Sequence, residues 1–112
     1  REAWCPQRLS HASQHRVSCL AWEPMQAARL AVGCSGCVCI WRLVHGEAQG
    51  GRPAVSGAHL TAVLAHPAHA PTSCLSWCPL GTHLAAASEA YPAVVVWHTV
   101  TGAHSKLWFR AG

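Results

Sequence analysis

A short phrase occurs twice in this chain and constrains its fold more than any other feature. The two copies are VSCLAWEP, residues 17–24, and TSCLSWCP, residues 72–79. After each copy the sequence continues in step, so that Ile40-Trp41 of the first corresponds to Val96-Trp97 of the second. Self-similarity that extends over such a length predicts that one structural unit is built twice.

Each copy has the pattern of short strands separated by turns. The first strand ends at the tryptophan before Pro24 or Pro79, because proline has no N–H to donate to a sheet. Further strands are predicted at 30–33, 37–41 and 60–65 in the first copy, and at 83–87, 93–97 and 105–109 in the second. No segment shows a sustained helical period. The sequence therefore predicts an all-β chain of about two four-stranded antiparallel units.

Four short strands per unit, with a tryptophan ending the third, are typical of a blade of the WD40-type β-propeller. Such blades recur about every 40 to 45 residues; the longer spacing here predicts a long surface loop at 44–59, which is rich in glycine. Residues 17–65 and 66–112 would be two blades, and 1–16 the end of a preceding blade, with a strand at 4–9, and a connector. Because two blades do not close a ring, we expect the chain to be part of a larger propeller.

Three longer strings resemble the aladin family of WD40-repeat nucleoporins. They are RVSCLAWEPMQAARLAVGCSGCVCIWRL, VLAHPAHAPTSCLSWCPLGTHLAAAS and LWFRAG, of which CSGCVCIW and HPAHAP are the most distinctive parts. The resemblance implies a non-enzymatic scaffold on the cytoplasmic face of the nuclear pore complex. A transmembrane nucleoporin would hold it at the nuclear envelope among other nucleoporins, where it would support nuclear protein import. Alternatives are a WD40 scaffold of another assembly, such as a ubiquitin-ligase adaptor or trafficking complex, and a metal or thiol enzyme.

The chain departs from the WD40 pattern at its signature residues. The Trp-Asp ending is absent after both Trp41 and Trp97. In typical blades a buried His, a Ser or Thr, a turn Asp and the Trp form one hydrogen-bonded set. The resemblance assigns His69, Ser88 and Trp97 to three of these roles, but Tyr91 stands in place of the Asp. The loss of one member would leave a buried polar group unpaired, at about 1–3 kcal/mol unless a water substitutes.

Composition excludes several classes of function. The net charge of +4 comes from cations scattered singly, so direct nucleic-acid binding is not expected. The chain has no aspartate and only four separated glutamates, so no carboxylate pair is indicated. The longest apolar run, AVVVW, is far too short to span a bilayer. Seven cysteines without a visible leader sequence indicate a reducing compartment, the cytosol or nucleus.

The segment CSGCVC, residues 34–39, has three cysteines at a spacing that suggests zinc. Its second and third cysteines, Cys37 and Cys39, align with Ala93 and Val95 of the second copy, where the fold requires only small apolar side chains. No second Cys-x-x-Cys follows to complete four ligands. We therefore expect these cysteines to pack in the core, with no metal or other cofactor.

Strand geometry assigns each of these cysteines a position. Because side chains alternate along a strand, Cys37 and Cys39 share one face with Trp41, and the residues between them take the other. Cys34 falls in the preceding turn.

The other cysteines give little support to catalysis. Cys19 and Cys74 occupy the same strand position and are expected in the core, whereas Cys78 lies at a strand end near the surface. A catalytic thiol needs a base and a lowered pKa. His69 is the candidate base, but nothing in the spacing requires it, so no catalytic residue is predicted.

Two further groups of residues leave alternatives open. Trp108 and Phe109 lie on the predicted outermost strand, where they would form a partner site or cover a neighbouring blade. Most of the histidines, His66 among them, are interpreted as loop residues in contact with water.

Overall fold

The computed structural model describes residues 8–25, 28–47 and 53–109. These residues form two four-stranded antiparallel sheets, in which the strand order follows the chain, and they contain no helix. The first sheet consists of β1 (Cys19–Trp22), β2 (Arg29–Gly33), β3 (Cys37–Glu47) and β4 (Pro53–Ala65). The second consists of β5 (Cys74–Trp77), β6 (His83–Ser88), β7 (Tyr91–His98) and β8 (His104–Trp108). The prediction of an all-β chain with two such units is confirmed, while most of the strand expected at 4–9 lies outside the described residues.

The prediction of a long loop at 44–59 is wrong. Strands β3 and β4 continue through most of this stretch as a two-stranded ribbon, in which Val44 pairs with Gly57 and Glu47 with Pro53. Pro53 is tolerated because it is the first residue of its strand, where its missing N–H leaves the ladder intact. A register shift between Val44 and His45 accommodates one extra residue of β4.

The two sheets repeat the same register. Leu30 pairs with Trp41 in the first sheet as Leu84 pairs with Trp97 in the second. This register defines two faces in each sheet. The tryptophan face carries Leu30, Val32, Cys37, Cys39 and Trp41 in the first sheet, and Leu84, Ala86, Ala93, Val95 and Trp97 in the second. The valine face carries Ala31, Val38 and Ile40 in the first sheet, and Ala85, Val94 and Val96 in the second.

The sheets stack with unlike faces in contact. The valine face of the first sheet, with Leu64, packs against the tryptophan face of the second and forms one apolar core around Trp97. The tryptophan face of the first sheet forms a separate core, against which Leu9 packs. Packing is therefore head to tail: each tryptophan face packs against the segment that comes before its sheet in the chain.

Polar contacts fix the sheets at the end where β1 meets β5. The indole N–H of Trp77 donates to the carbonyl of Ala21 at 2.9 Å. The guanidinium of Arg29 donates to the carbonyl of Gly81 at 2.8 Å and lies 4.9 Å from the centre of the Trp77 ring. One arginine of the first sheet thus contacts both the first strand and the first turn of the second.

Two features of the turn at Gly81 favour glycine: its positive φ and its close approach to a neighbouring side chain. Substitutions at two glycines can distinguish their contributions to stability. Gly81 has φ +76 and approaches the carboxylate of Glu23, whereas Gly102 has φ +77 with open space around it. We expect Gly102→Ala to cost about 1 kcal/mol of unfolding free energy through backbone strain alone. Gly81→Ala should cost about 1–3 kcal/mol more, because its methyl group would displace Glu23.

Urea denaturation of the two glycine variants beside the unsubstituted chain measures this difference. Equal destabilisation by the two substitutions would show that the approach of Gly81 to Glu23 contributes nothing.

Candidate functional site

Three cysteine sulfurs converge on the tryptophan face of the first sheet. The Sγ atoms of Cys34, Cys37 and Cys39 all lie within 4.8 Å of one another, and all three residues are buried. As predicted, Cys37 and Cys39 point to the same face as Trp41, and Cys34 lies in the turn between β2 and β3. The sequence did not predict that the side chain of Cys34 lies beside those of Cys37 and Cys39. The backbone N–H of Cys34 donates to the carbonyl of Cys37 at 2.9 Å, and this tight turn directs its side chain inward.

The segment before β1 covers the three thiols. The thiol of Cys37 donates to the carbonyl of Ser13 at 3.1 Å, and the amide oxygen of Gln14 accepts a 2.8 Å hydrogen bond from the Trp41 indole. The backbone of His15 accepts from the N–H of Ser35 at 2.8 Å. These contacts hold the covering segment against the cluster.

Burial keeps two of these thiols protonated near neutral pH. Desolvation, followed by the charge of a Cys37 thiolate, raises the pKa of Cys34 to about 11. Desolvation, followed by the proximity of Cys34 and Cys37, raises the pKa of Cys39 to about 12. These groups are therefore poor nucleophiles by themselves, since the thiolate is the reactive form.

The remaining described cysteines differ from the prediction. Cys74 is exposed and Cys19 is half-buried, so the expectation that both are core residues is wrong. Cys74 lies on the valine face of the second sheet, which no other described strand covers, whereas the Cys19 sulfur lies 4.0 Å from the carbonyl of Thr72. All six cysteines of the described ranges are free thiols.

Cys78 directly follows β5, in a turn whose groups contact its sulfur. The hydroxyl of Thr82 lies 3.4 Å from the sulfur, and the backbone N–H of His83 donates to it at 3.3 Å. The Thr82 hydroxyl and then the His83 N–H lower the pKa of Cys78 to about 6 from its ordinary 9.0. The partners of this thiol are thus Thr82 and His83 rather than His69, the base considered from sequence.

This turn predicts a distinctive pH profile for alkylation of Cys78. The rate with iodoacetamide should rise between pH 5 and 7, because the thiolate forms around a pKa of about 6, and level off above it. Thr82→Val should move the midpoint upward and lower the rate at pH 6 by about tenfold. Peptide-resolved mass spectrometry measures both, with Thr61→Val in the first sheet as the control. A midpoint that Thr82→Val leaves in place would refute the role of this hydroxyl.

His66, and not His69, is the buried histidine of the second unit. His66 is 3% exposed, and its Nδ1 accepts from the backbone N–H groups of Ala68 and Ala70 at 3.0 and 3.3 Å. His69 is exposed, with φ 55. The assignment of His69 to the buried set is wrong, and so is the assignment of His66 to a solvated loop. The sequence does not show which of these two histidines is buried, because that depends on the geometry of the turn between them.

The ring of Tyr91 occupies the place expected for the turn aspartate. It meets His66 edge to face, with centroids 4.7 Å apart and planes at 89°. Among the described residues the Nε2 of His66 has no hydrogen-bond partner. Burial, followed by the neighbouring His69, His104 and Lys106, lowers the pKa of His66. An aromatic contact to a histidine of lowered pKa thus lies where the WD40 interpretation expects a polar pair.

A cavity of about 310 Å³ opens where the first sheet meets the second. Its lining includes Glu23, Arg29, Arg42 and the apolar side chains Met25 and Leu80. Glu23 is 3% exposed. Its Oε2 accepts from the N–H of Met25 at 3.2 Å, and Oε1 lies 3.9 Å from Arg29 Nε. Of these groups, the Arg29 guanidinium joins the two sheets through its hydrogen bond to the carbonyl of Gly81.

Strand β8 presents an exposed apolar edge. Leu107, Trp108 and Phe109 are each more than half exposed, although Trp108 contacts Tyr91 at 5.7 Å between ring centroids. Among the described residues Trp108 and Phe109 cover no neighbouring sheet, so a partner site and a cover for a further blade both stay predictions.

No known protein-family model matches this chain. Within the described residues, no helix is long and apolar enough to cross a membrane.

Proposed function

We propose that the chain is a non-catalytic scaffold for protein interactions, forming two blades of a larger WD40-type propeller. In keeping with the resemblance of its sequence, we place this propeller on the cytoplasmic face of the nuclear pore complex. Its partners there would be other nucleoporins, a transmembrane nucleoporin among them, and its role would be to support protein import.

The observation that carries this proposal is the head-to-tail stack. Two sheets that paired like faces would make a closed sandwich with both tryptophan faces inside. Here the tryptophan face of the second sheet, around Trp97, receives the valine face of the first, around Ile40. A contact between unlike faces repeats from unit to unit, which is the property that a ring of blades requires.

The second sheet offers the next position in such a series. Val94 and Val96 on its valine face are half-buried, whereas the equivalent Val38 and Ile40 of the first sheet are fully buried. A third sheet that docked its tryptophan face here would bury them and continue the ring. Closure of the ring would also remove the exposed sheet faces at both ends.

Affinity capture and imaging of the full-length protein, tagged at its native locus, test the functional part of the proposal. We expect a signal at the nuclear rim and a captured set dominated by nucleoporins, including one with transmembrane segments. Capture of ubiquitin-ligase subunits or coat components in their place would assign the propeller to another assembly and reject the nuclear-pore role.

A matched pair of variants links the assembly to the fold. Val94→Asp would place a charge between blades and should abolish capture of the same partners, while Val100→Asp, at an exposed turn, should leave capture unchanged. Equal capture by both variants would contradict the proposed continuation of the ring.

A further inference from the structure

The two sheets carry different residues at two equivalent positions of their third strands. Positions 93 and 95 of the second sheet are Ala and Val, while the equivalent positions of the first are Cys37 and Cys39. A third thiol, from Cys34, turns inward to join them. Ala and Val meet the packing requirement at these positions in the second sheet, so the convergence of three thiols is a property of the first sheet.

We propose that Cys34, Cys37 and Cys39 form a three-coordinate site for one soft, thiophilic cation, Cu(I). The site lies beneath residues 13–15, and the backbone carbonyl of Cys34 also accepts a 3.1 Å hydrogen bond from the N–H of Thr72, just before β5. It is independent of the proposed scaffold function.

The spacing of the sulfurs suits one metal ion. Metal–thiolate bonds are about 2.3 Å long, so three sulfurs in a plane around one ion are about 4 Å apart. The three Sγ atoms already lie within 4.8 Å of one another. We expect rotations of the cysteine side chains to supply that geometry without a change in the pairing of β2 and β3.

The donor set selects the kind of metal. Thiolate sulfur prefers soft ions such as Cu(I) and Zn(II) over Mg²⁺ or Ca²⁺, which take oxygen ligands. Structural zinc sites have four ligands. In the described ranges no fourth His, Cys, Asp or Glu atom joins the three sulfurs, so their number fits Cu(I) better than zinc.

Binding exchanges protons for the metal. Three S–H bonds break, three Cu–S bonds form, and three protons are released to solvent for each Cu(I) bound, with no change of oxidation state. Because each thiol loses its proton when it binds the metal, the apparent affinity should rise with pH.

Anaerobic titration of the full chain with Cu(I), supplied as its acetonitrile complex and buffered by bicinchoninate, tests the proposal. We expect one Cu(I) per chain, a sulfur-to-metal absorption band in the ultraviolet, and an X-ray absorption spectrum of three sulfurs at about 2.3 Å. Proton release measured in weak buffer should approach three per ion.

The second sheet supplies the matched variant. Cys37→Ala with Cys39→Val installs the residues that the second sheet carries at these positions, so the fold should be retained, as circular dichroism will show. Affinity for Cu(I) should fall by at least about 100-fold. Cys74→Ser with Cys78→Ser removes two more accessible thiols and should leave the affinity unchanged.

Several results would overturn the proposal. One is a folded chain that takes no Cu(I) from bicinchoninate; another is a folded Cys37→Ala, Cys39→Val variant with undiminished affinity. Loss of binding in the Cys74 and Cys78 control would place the metal at the surface. Preferential binding of Zn(II) with a nitrogen ligand, abolished by His15→Ala, would replace the three-coordinate Cu(I) site by a four-coordinate zinc site.

Discussion

Replacement of Trp97 by alanine is expected to destabilise the chain by about 3–5 kcal/mol, a large part of the unfolding free energy of about 5–15 kcal/mol that is typical of single domains. Trp97 is 1% exposed and lies at the centre of the core between the two sheets. Its removal forfeits the transfer free energy of the indole and leaves a cavity that neighbours on two rigid sheets cannot fill.

Trp22 provides the control for this prediction. It lies on the tryptophan face of the first sheet but is 53% exposed, so Trp22→Ala should cost less than about 1 kcal/mol. Thermal and urea melts followed by circular dichroism measure both variants. Similar losses for the two tryptophans would contradict the packing of the valine face of the first sheet over Trp97.

A charge placed on the two valine faces should have very different effects. Val38 and Val94 are equivalent residues, but Val38 is buried against the second sheet and Val94 is only half-buried. We expect Val38→Asp to cost more than about 4 kcal/mol, because its carboxylate would be buried without a partner. Val94→Asp should cost about 1 kcal/mol in this chain.

The same melts decide this comparison, and Val38→Ala and Val94→Ala report the loss of apolar contact without a charge. An equal effect of the two aspartates would mean that both valine faces are covered, and the head-to-tail stack would then be incomplete as described. In the larger propeller that we propose, Val94→Asp should become as damaging as Val38→Asp, since a third sheet would cover it.

The sequence predicted the structure best where a residue type has a single effect on the local backbone. Pro24 and Pro79 end the first strands where predicted, because the lack of an N–H operates without reference to the rest of the fold. Because the sequence repeats, the strands assigned in one copy could be assigned in the other. The alternation of side chains along a strand then predicted that Cys37 and Cys39 lie on the same face as Trp41. These inferences needed only local geometry.

Prediction failed where a local signal had two structural outcomes. Glycine and proline at 46–57 indicated a loop, but Gly57 pairs with Val44 inside the ribbon of β3 and β4. Glycine in a strand and proline at a strand start are both allowed, and only the partner strand decides between them. The register shift between Val44 and His45 has no marker in the sequence either.

The candidate sites depended on contacts between distant or differently oriented residues. Two histidines three positions apart, His66 and His69, differ in burial because of the turn that separates them. The convergence of Cys34 with Cys37 and Cys39 depends on the direction of one side chain in a turn. Arg29 and Trp77 lie in different sheets, and the residue pattern of neither sheet predicts their contact.

The unlike faces of each sheet bear on how a chain of this kind lengthens over evolutionary time. A tandem copy of one whole unit arrives with a tryptophan face that already fits the valine face before it, and it presents a fresh valine face to its successor. Duplication therefore needs no simultaneous change in the ancestral unit, whereas an inverted or half-length insertion would place two incompatible surfaces together. VSCLAWEP and TSCLSWCP are the most similar parts of the two copies, while Cys37 and Cys39 of the first correspond to Ala93 and Val95 of the second.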